Sequence, residues 1–232
     1  MKHRKGKAGG AAFWDREYKE GAHLSLSENE SEDLVKFTRF LEREYKRTYL
    51  NPLASVLDLG CGNGRNLIYL AKTYGMRGVG FDISGTAISQ AKRASEGLPL
   101  TYETRSIAPP ITLPDASQTL VLDMMTSHFL NSEERAELYR EMYRVLKPSG
   151  WHFLKTFLRD EDTHAARLLR EHPAEERGSY IHPEIGVSEH VFTEEEIESA
   201  LEAHFTVHKV LKSHRHREGK RRSISLYAQK EM

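Results

Sequence analysis

From residue 55 onward, short apolar runs alternate with stretches in which apolar side chains recur every three to four positions. SVLDL (55–59), GVGFD (78–82), LTYET (100–104), TLVLD (119–123) and WHFLKTF (151–157) read as strands. Between them, Asn66 to Tyr74, a segment opening near Ser84, and SEERAELYREMYRVL (132–146) read as helices. The Ser84 hydroxyl suits an N-cap, and Leu138, Met142 and Val145 share one face. Gly97 with Pro99, and the run Lys147-Pro148-Ser149-Gly150, are stop-and-turn signals. Strands alternating with helices imply βαβ units, a mainly parallel sheet and right-handed crossovers.

The flanks differ in pattern. Ahead of the first strand, Leu34, Phe37, Leu41 and Tyr45 mark an amphipathic helix within Ser31 to Tyr49. Residues 158–192 are polar and His-rich and read as an insertion above the sheet. Thr193-x-x-Glu196 is a capping-box signature for a further helix. TVHKVLK (206–212) and SISLYAQ (223–229) then read as an antiparallel hairpin at the sheet edge. The expected fold is α/β, doubly wound, with about seven strands and an antiparallel hairpin at its end. Residues 1–12 are expected to form a disordered basic tail, and 13–232 one domain with a helical lid over 13–50.

Composition narrows the setting. The 232 residues hold 38% hydrophobic and 29% charged side chains, enough apolar material for one substantial core. No apolar stretch approaches the roughly 20 residues that span a bilayer, and the basic N-terminus has no signal-peptide core, so a soluble chain is expected. Cys61 alone forbids an intrachain disulfide and fits a reducing cytoplasm. Formal net charge is zero, so no global field points to nucleic acid. Charge is uneven locally: HRHREGKRR (214–222) carries Arg215, Arg217, Lys220, Arg221 and Arg222 against Glu218. This run reads as a solvated hairpin tip or as a grip for an anion. His164, His172, His182 and His190 do not fall at a compact metal-ligand spacing, and no metal is expected.

VLDLGCGNGRN (56–66) carries the chemistry: a strand running into glycines at every second position, Gly60, Gly62 and Gly64. Such a turn lets a ligand approach backbone with no Cβ in the way. The spacing is neither that of a dinucleotide pyrophosphate turn nor that of a phosphate loop. Asp82 ends the second strand about twenty residues later, where a carboxylate accepts hydrogen bonds from a ribose diol. Glycines, a ribose carboxylate and no phosphate lysine point to a nucleoside without phosphates.

These residues bear a resemblance to a known family. VLDLGCGNGRN, GVGFDIS, LPDASQTLVLDMMTSHFL (113–130) and REMYRVLKPSGW (140–151), in that order and closed by a terminal hairpin, resemble the class I S-adenosylmethionine-dependent methyltransferases. The likeness covers about 55–157 and 194–229. It implies a Rossmann-like fold, S-adenosylmethionine as cofactor and S-adenosylhomocysteine as product. It also implies roles by position. Gly60, Gly62 and Gly64 pass the amino-acid end of the cofactor; Asp58 orders the loop or meets the cofactor's amino group; Asn66 adds a contact from the next helix. Asp82 holds the ribose hydroxyls and Ile83 packs on the adenine. Asp123 lines the floor near the sulfonium. Many relatives carry an acidic residue after the third strand, where this chain has Ser106 and Ile107, so a hydroxyl or a carbonyl stands in beside the adenine.

His128, beyond the fourth strand, is the candidate general base, its ordinary pKa of about 6.5 suiting proton removal near neutrality. The alternative is a histidine that only packs. Thr126 and Ser127 are candidates to orient a polar group of the acceptor. Trp14 and Tyr18, four residues apart, either face the cofactor, with cation–π attraction to the sulfonium, or anchor the lid in the core. Tyr180, His182, Glu184 and His190 are expected on a substrate wall. The leading function is methyl transfer to a small-molecule acceptor by a monomer or homodimer with no membrane association. RNA or protein methylation, gripped by the basic tail and 214–222, is the runner-up, disfavoured by the neutral charge. A cofactor-binding partner protein without chemistry is the third.

Overall fold

The structure is a computed structural model that describes residues 5–21, 26–213 and 221–231. Its centre is a seven-stranded sheet with strands β1 (Ser55–Leu59), β2 (Arg77–Asp82), β3 (Leu100–Thr104), β4 (Gln118–Met124), β5 (Leu146–Phe157), β8 (Thr206–Lys212) and β9 (Ser223–Gln229). The spatial order is β3-β2-β1-β4-β5-β9-β8. The first five strands are parallel, whereas β9 runs antiparallel to both β5 and β8. The order reverses between β1 and β4, and crevices for ligands open at the carboxyl ends of such strands.

Period-two alternation explains the double winding. Leu57, Leu59, Val121, Leu154 and Leu226 face α5 (Ser132–Val145) and α7 (Glu194–Glu202) through Leu138, Met142, Ile197 and Leu201. Val56, Leu120, Leu122, Phe153 and Tyr227 face the other way, onto α2 (Glu32–Tyr45) and α3 (Arg65–Tyr74). Phe37 of α2 is fully buried and stacks on Phe153 with ring centroids 4.9 Å apart. Truncating such a ring costs about 3–5 kcal/mol.

Helix ends follow the sequence signals. The Ser84 side chain accepts from Ala87 N at the start of α4 (Gly85–Ala94), and Thr193 completes a capping box with Glu196; Asn131, which the sequence reading did not single out, completes another with Glu134. Three segments differ from expectation. Residues 146–150 do not form a separate turn but an irregular start to β5, where pairing jumps from Gln118↔Leu146 to Leu120↔Trp151 and Ser149 takes φ 61°. The insertion 158–192 is ordered, with α6 (Thr163–Glu171) capped by Asp162 and a two-stranded sheet, β6 (Ser179–Ile181) with β7 (Ser188–His190). Finally, the disordered tail expected over 1–12 is helical from Lys5: α1 spans Lys5–Glu20, and residues 1–4 lie outside the described residues. A terminal segment is ordered when it is tied down, and here Phe13 is buried and Asp15 is hydrogen-bonded to α4.

Candidate active site

At the switch point the chain leaves β1 in a tight turn. Gly60 N and Cys61 N both donate to Phe81 O, at 2.8 and 3.0 Å, and Gly64 N donates to Cys61 O at 3.0 Å. Gly60, Gly62 and Gly64 have φ of 74°, 55° and 78°, in the left-handed region where a Cβ is costly. Space reinforces the requirement: a Cβ on Gly60 would overlap the Thr126 side chain, and one on Gly62 would overlap the Tyr18 hydroxyl.

Asp82 joins this turn to the next. Its Oδ2 accepts from Gly62 N and its Oδ1 from Ser84 N, each at 2.8 Å. Burial pushes its carboxyl above the usual carboxylate range, opposed by those backbone N–H groups. Each oxygen retains acceptor capacity, since a carboxylate offers about four lone-pair sites. Beneath the turn lie two fully buried carboxyls. Burial pushes Asp58 up to about 7 and Asp123 to about 6. Asp123 Oδ1 accepts from Ser127 N at 3.0 Å and so fixes the chain leaving β4. Met125, on the same stretch, takes φ 64°, a conformation rare outside glycine.

Above the turn is a cavity of about 640 Å³. One side carries Gly60, Gly62, Asn66, Asp82, Ile83, Ser106 and Ile107; α1 crosses it with Trp14 and Tyr18. The far side is built from Thr126, Phe129, Leu130 and Asn131 after β4, Lys155 at the end of β5, and Val187 and Ser188 of the insertion. The Trp14 and Phe129 rings meet edge-on, 6.0 Å between centroids, bridging lid and floor. Asn66 Oδ1 accepts from Ser31 N at 3.0 Å, and Lys155 pairs with Asp33.

The structure therefore brings ten of the residues expected from sequence to one cavity: Trp14, Tyr18, Gly60, Gly62, Asn66, Asp82, Ile83, Ser106, Ile107 and Thr126. Gly64, Asp58 and Asp123 lie behind its wall. His128 is not brought to it. A 3-10 turn, Ser127–Phe129, carries the ring away from the cavity, against Phe129 and Phe157 at 4.2 and 5.3 Å between centroids. Both ring nitrogens are buried without a hydrogen-bond partner, and burial pushes the imidazole down to about 4. That corrects the expectation of a base: the neutral ring packs between the floor and the insertion, and Ser127 is buried with it. Thr126 does line the cavity.

The substrate wall is corrected as well. Tyr180 donates to Glu189, and Arg221 closes an ion pair on the same carboxylate. His190 bonds Ser179 Oγ at 2.8 Å and Glu196 at 2.9 Å. These groups brace the insertion from behind, and it is Val187 and Ser188 that reach the cavity. The basic grip expected over 214–222 falls largely outside the described residues, which omit 214–220. Of its described part, Arg221 is committed to Glu189 and Arg222 pairs with Glu161 at 3.1 Å. Sequence reasoning missed Asp33, Lys155, Phe129, Val187 and Ser188. Phe129 and Lys155 sit at strand ends that the pattern did locate, whereas nothing in the sequence singles out residues 187 and 188.

Residues 56–150, which run from β1 through the glycine turn to the start of β5, match a family model described as a methyltransferase domain. Over this part the chain resembles the class I S-adenosylmethionine-dependent methyltransferases. A phosphoethanolamine N-methyltransferase of Triticum aestivum is 29% identical over 126 residues, 54% of this chain and 23% of that protein. A 2-methyl-6-phytyl-1,4-hydroquinone methyltransferase of Synechocystis is 34% identical over 106 residues, 44% of this chain and 31% of that protein. The chain thus spans less than a third of the length of these curated relatives. Among solved structures, a SAM-dependent methyltransferase of Methanosarcina mazei aligns with TM-score 0.67 and 26% identity over 80% of this chain and 96% of that one. A Burkholderia thailandensis 1,6-didemethyltoxoflavin-N1-methyltransferase, solved with its acceptor and S-adenosylhomocysteine, shares the fold at TM-score 0.70 and 19% identity, covering 97% and 88% of the two chains. Among the described residues no helix is long and apolar enough to cross a membrane.

Proposed function

We propose that this methyltransferase binds S-adenosylmethionine in the cavity beneath α1 and transfers its methyl group to a small-molecule acceptor on the Phe129–Ser188 side. The observation that carries the reading is Asp82: a nearly buried carboxylate whose oxygens are each half satisfied by backbone and which opens onto the cavity between a glycine turn and two isoleucines. A nucleoside fits that donor set. Asp82 would accept from the ribose hydroxyls, Ile83 and Ile107 would flank the base, and the Ser106 hydroxyl or carbonyl would meet its edge. The side-chain-free Gly60–Gly62 backbone and Asn66 would hold the amino-acid end, under Tyr18 and Trp14. Asp58 and Asp123 would set the turn and the floor from below.

The cofactor supplies an electrophilic methyl on a sulfonium, so what remains for the protein is position and water exclusion. Alignment of two bound partners is worth on the order of 7–11 kcal/mol. Trp14, Phe129, Leu130 and Val187 give the acceptor side an apolar, closable wall suited to that task. His128, behind the wall, would take no direct part in the transfer. A compact acceptor is favoured by the roofed cavity and by the relatives, whose named substrates are small molecules. Calorimetry with S-adenosylhomocysteine tests the cofactor half; a metabolite extract incubated with methyl-labelled cofactor, followed by identification of the labelled compound, tests the acceptor half. Absence of both a heat signal and a thermal shift with S-adenosylhomocysteine would overturn the reading.

A further inference from the structure

Asp15 lies on α1 between Trp14 and Tyr18, which line the cavity, yet its side chain does not line it. Its Oδ1 instead accepts from Ser84 Oγ at 2.7 Å and from Thr86 N at 3.0 Å. One carboxylate oxygen thus gathers two donors at the first turn of α4, where the helix dipole favours negative charge. One turn further along α1, Gln90 Nε2 of α4 donates to Tyr18 O at 2.7 Å. These bonds tie α1 to α4.

Ser84 connects them to the ligand side. Its Oγ, while donating to Asp15, accepts from Ala87 N at 3.1 Å, and its own N–H donates to Asp82 Oδ1 at 2.8 Å. The other oxygen of Asp82 takes the N–H of Gly62, and the Tyr18 hydroxyl of α1 occupies the space above that glycine. Hydrogen bonds run from Asp15 through Ser84 and Asp82 to Gly62, and the Tyr18 hydroxyl packed over that glycine leads back to the lid. A shift of α1 therefore pulls on the residue that orients Asp82, and a ligand that fixes Asp82 steadies α1.

We propose that Asp15 is a positioning residue of the cofactor site: its carboxylate latches α1 to the start of α4 and, through Ser84, couples closure of the lid to the setting of Asp82. The proposal rests on the cofactor reading above for its ligand and on the hydrogen bonds alone for its latch. Opening for cofactor exchange then requires the two Asp15 bonds to break, and by reciprocity a bound cofactor protects α1 by the same factor.

The test compares wild type, Asp15→Ala and Asp15→Asn, with S-adenosylhomocysteine as probe. Asp15→Ala should raise amide hydrogen exchange over residues 10–20 of the ligand-free protein, leave β1, β4 and β5 as protected as in wild type, and speed S-adenosylhomocysteine release by about tenfold or more. Asp15→Asn keeps an oxygen able to accept both bonds and should recover most of both effects, which a general loss of folding would not allow. Wild-type exchange over α1 and wild-type release in Asp15→Ala would overturn the latch, as would an increase in exchange spread evenly through the sheet. The cofactor reading fails separately, if wild type gives no heat with S-adenosylhomocysteine; the ligand-free exchange still decides the latch.

Discussion

Adding one methyl group at Gly62 should damage the protein twice over, and the two parts can be separated. Gly62 has φ 55°, so alanine there carries a left-handed backbone penalty of about 1–2 kcal/mol. Its Cβ would also overlap the Tyr18 hydroxyl, and forcing atoms into an occupied space costs about 1–3 kcal/mol. Gly62→Ala should therefore lose about 2–5 kcal/mol in urea unfolding. Removing the hydroxyl relieves only the second part, because the next nearest lid atom, Tyr18 Cζ, would stand 3.2 Å from the new Cβ, a tight contact that a small shift accommodates. Gly62→Ala in a Tyr18→Phe background should thus recover about 1–2 kcal/mol and keep the backbone penalty. The reasoning is refuted if the alanine costs the same in both backgrounds within about 0.3–0.5 kcal/mol, the usual margin for independent sites.

Three further perturbations probe the buried carboxylates and the displaced histidine. Asp82→Asn removes the charge that strengthens any bond to a ribose hydroxyl and should weaken S-adenosylhomocysteine binding about 10- to 100-fold; calorimetry showing a change under twofold would contradict the assignment. Asp58, pushed to about 7 from 3.8, keeps its proton in the fold where the unfolded chain has lost it, so stability falls as pH rises from about 4 to 7, by up to about 4 kcal/mol. Asp58→Asn should flatten that part of the profile, and an unchanged slope would count against the burial argument. His128 runs the opposite way. Pushed down to about 4 from 6.5, it stays neutral in the fold while the unfolded chain takes up a proton, so its contribution is lost as pH falls from 6.5 toward 4. His128→Leu should therefore gain about 2 kcal/mol relative to wild type at pH 5 against pH 7, and denaturation curves with no such difference would show the imidazole to be solvated.

The sheet was legible because its strands are short apolar runs punctuated by glycine and proline, and β3 runs over Leu100–Thr104 as the pattern predicts. Half of the cavity was legible for a related reason: Gly60, Gly62 and Ile83 lie just past the carboxyl ends of β1 and β2, where such a sheet opens its crevice. His128 was misplaced because nearness in sequence says nothing about side-chain direction in a 3-10 turn. Thr126 and Phe129, three apart, share the cavity side, and the residue between them in phase is turned inward. Residues 147–150 read as a turn because proline and glycine cluster there, but β5 absorbs them as an irregularity in its pairing with β4. Asp15 carried no local signal at all. Its partners lie some seventy residues away, and only the docking of two helices brings them together.

The position of β9 has a consequence for how the molecule comes into being. It lies inside the sheet, between β5 and β8, although it follows both of them in the chain. Until residues 223–229 leave the ribosome, β5 has a bare edge and β8 has no neighbour, and a nascent chain in that condition offers a template for pairing with other chains. Synthesis interrupted just before Ser223 should accordingly yield aggregates and not a folded sheet.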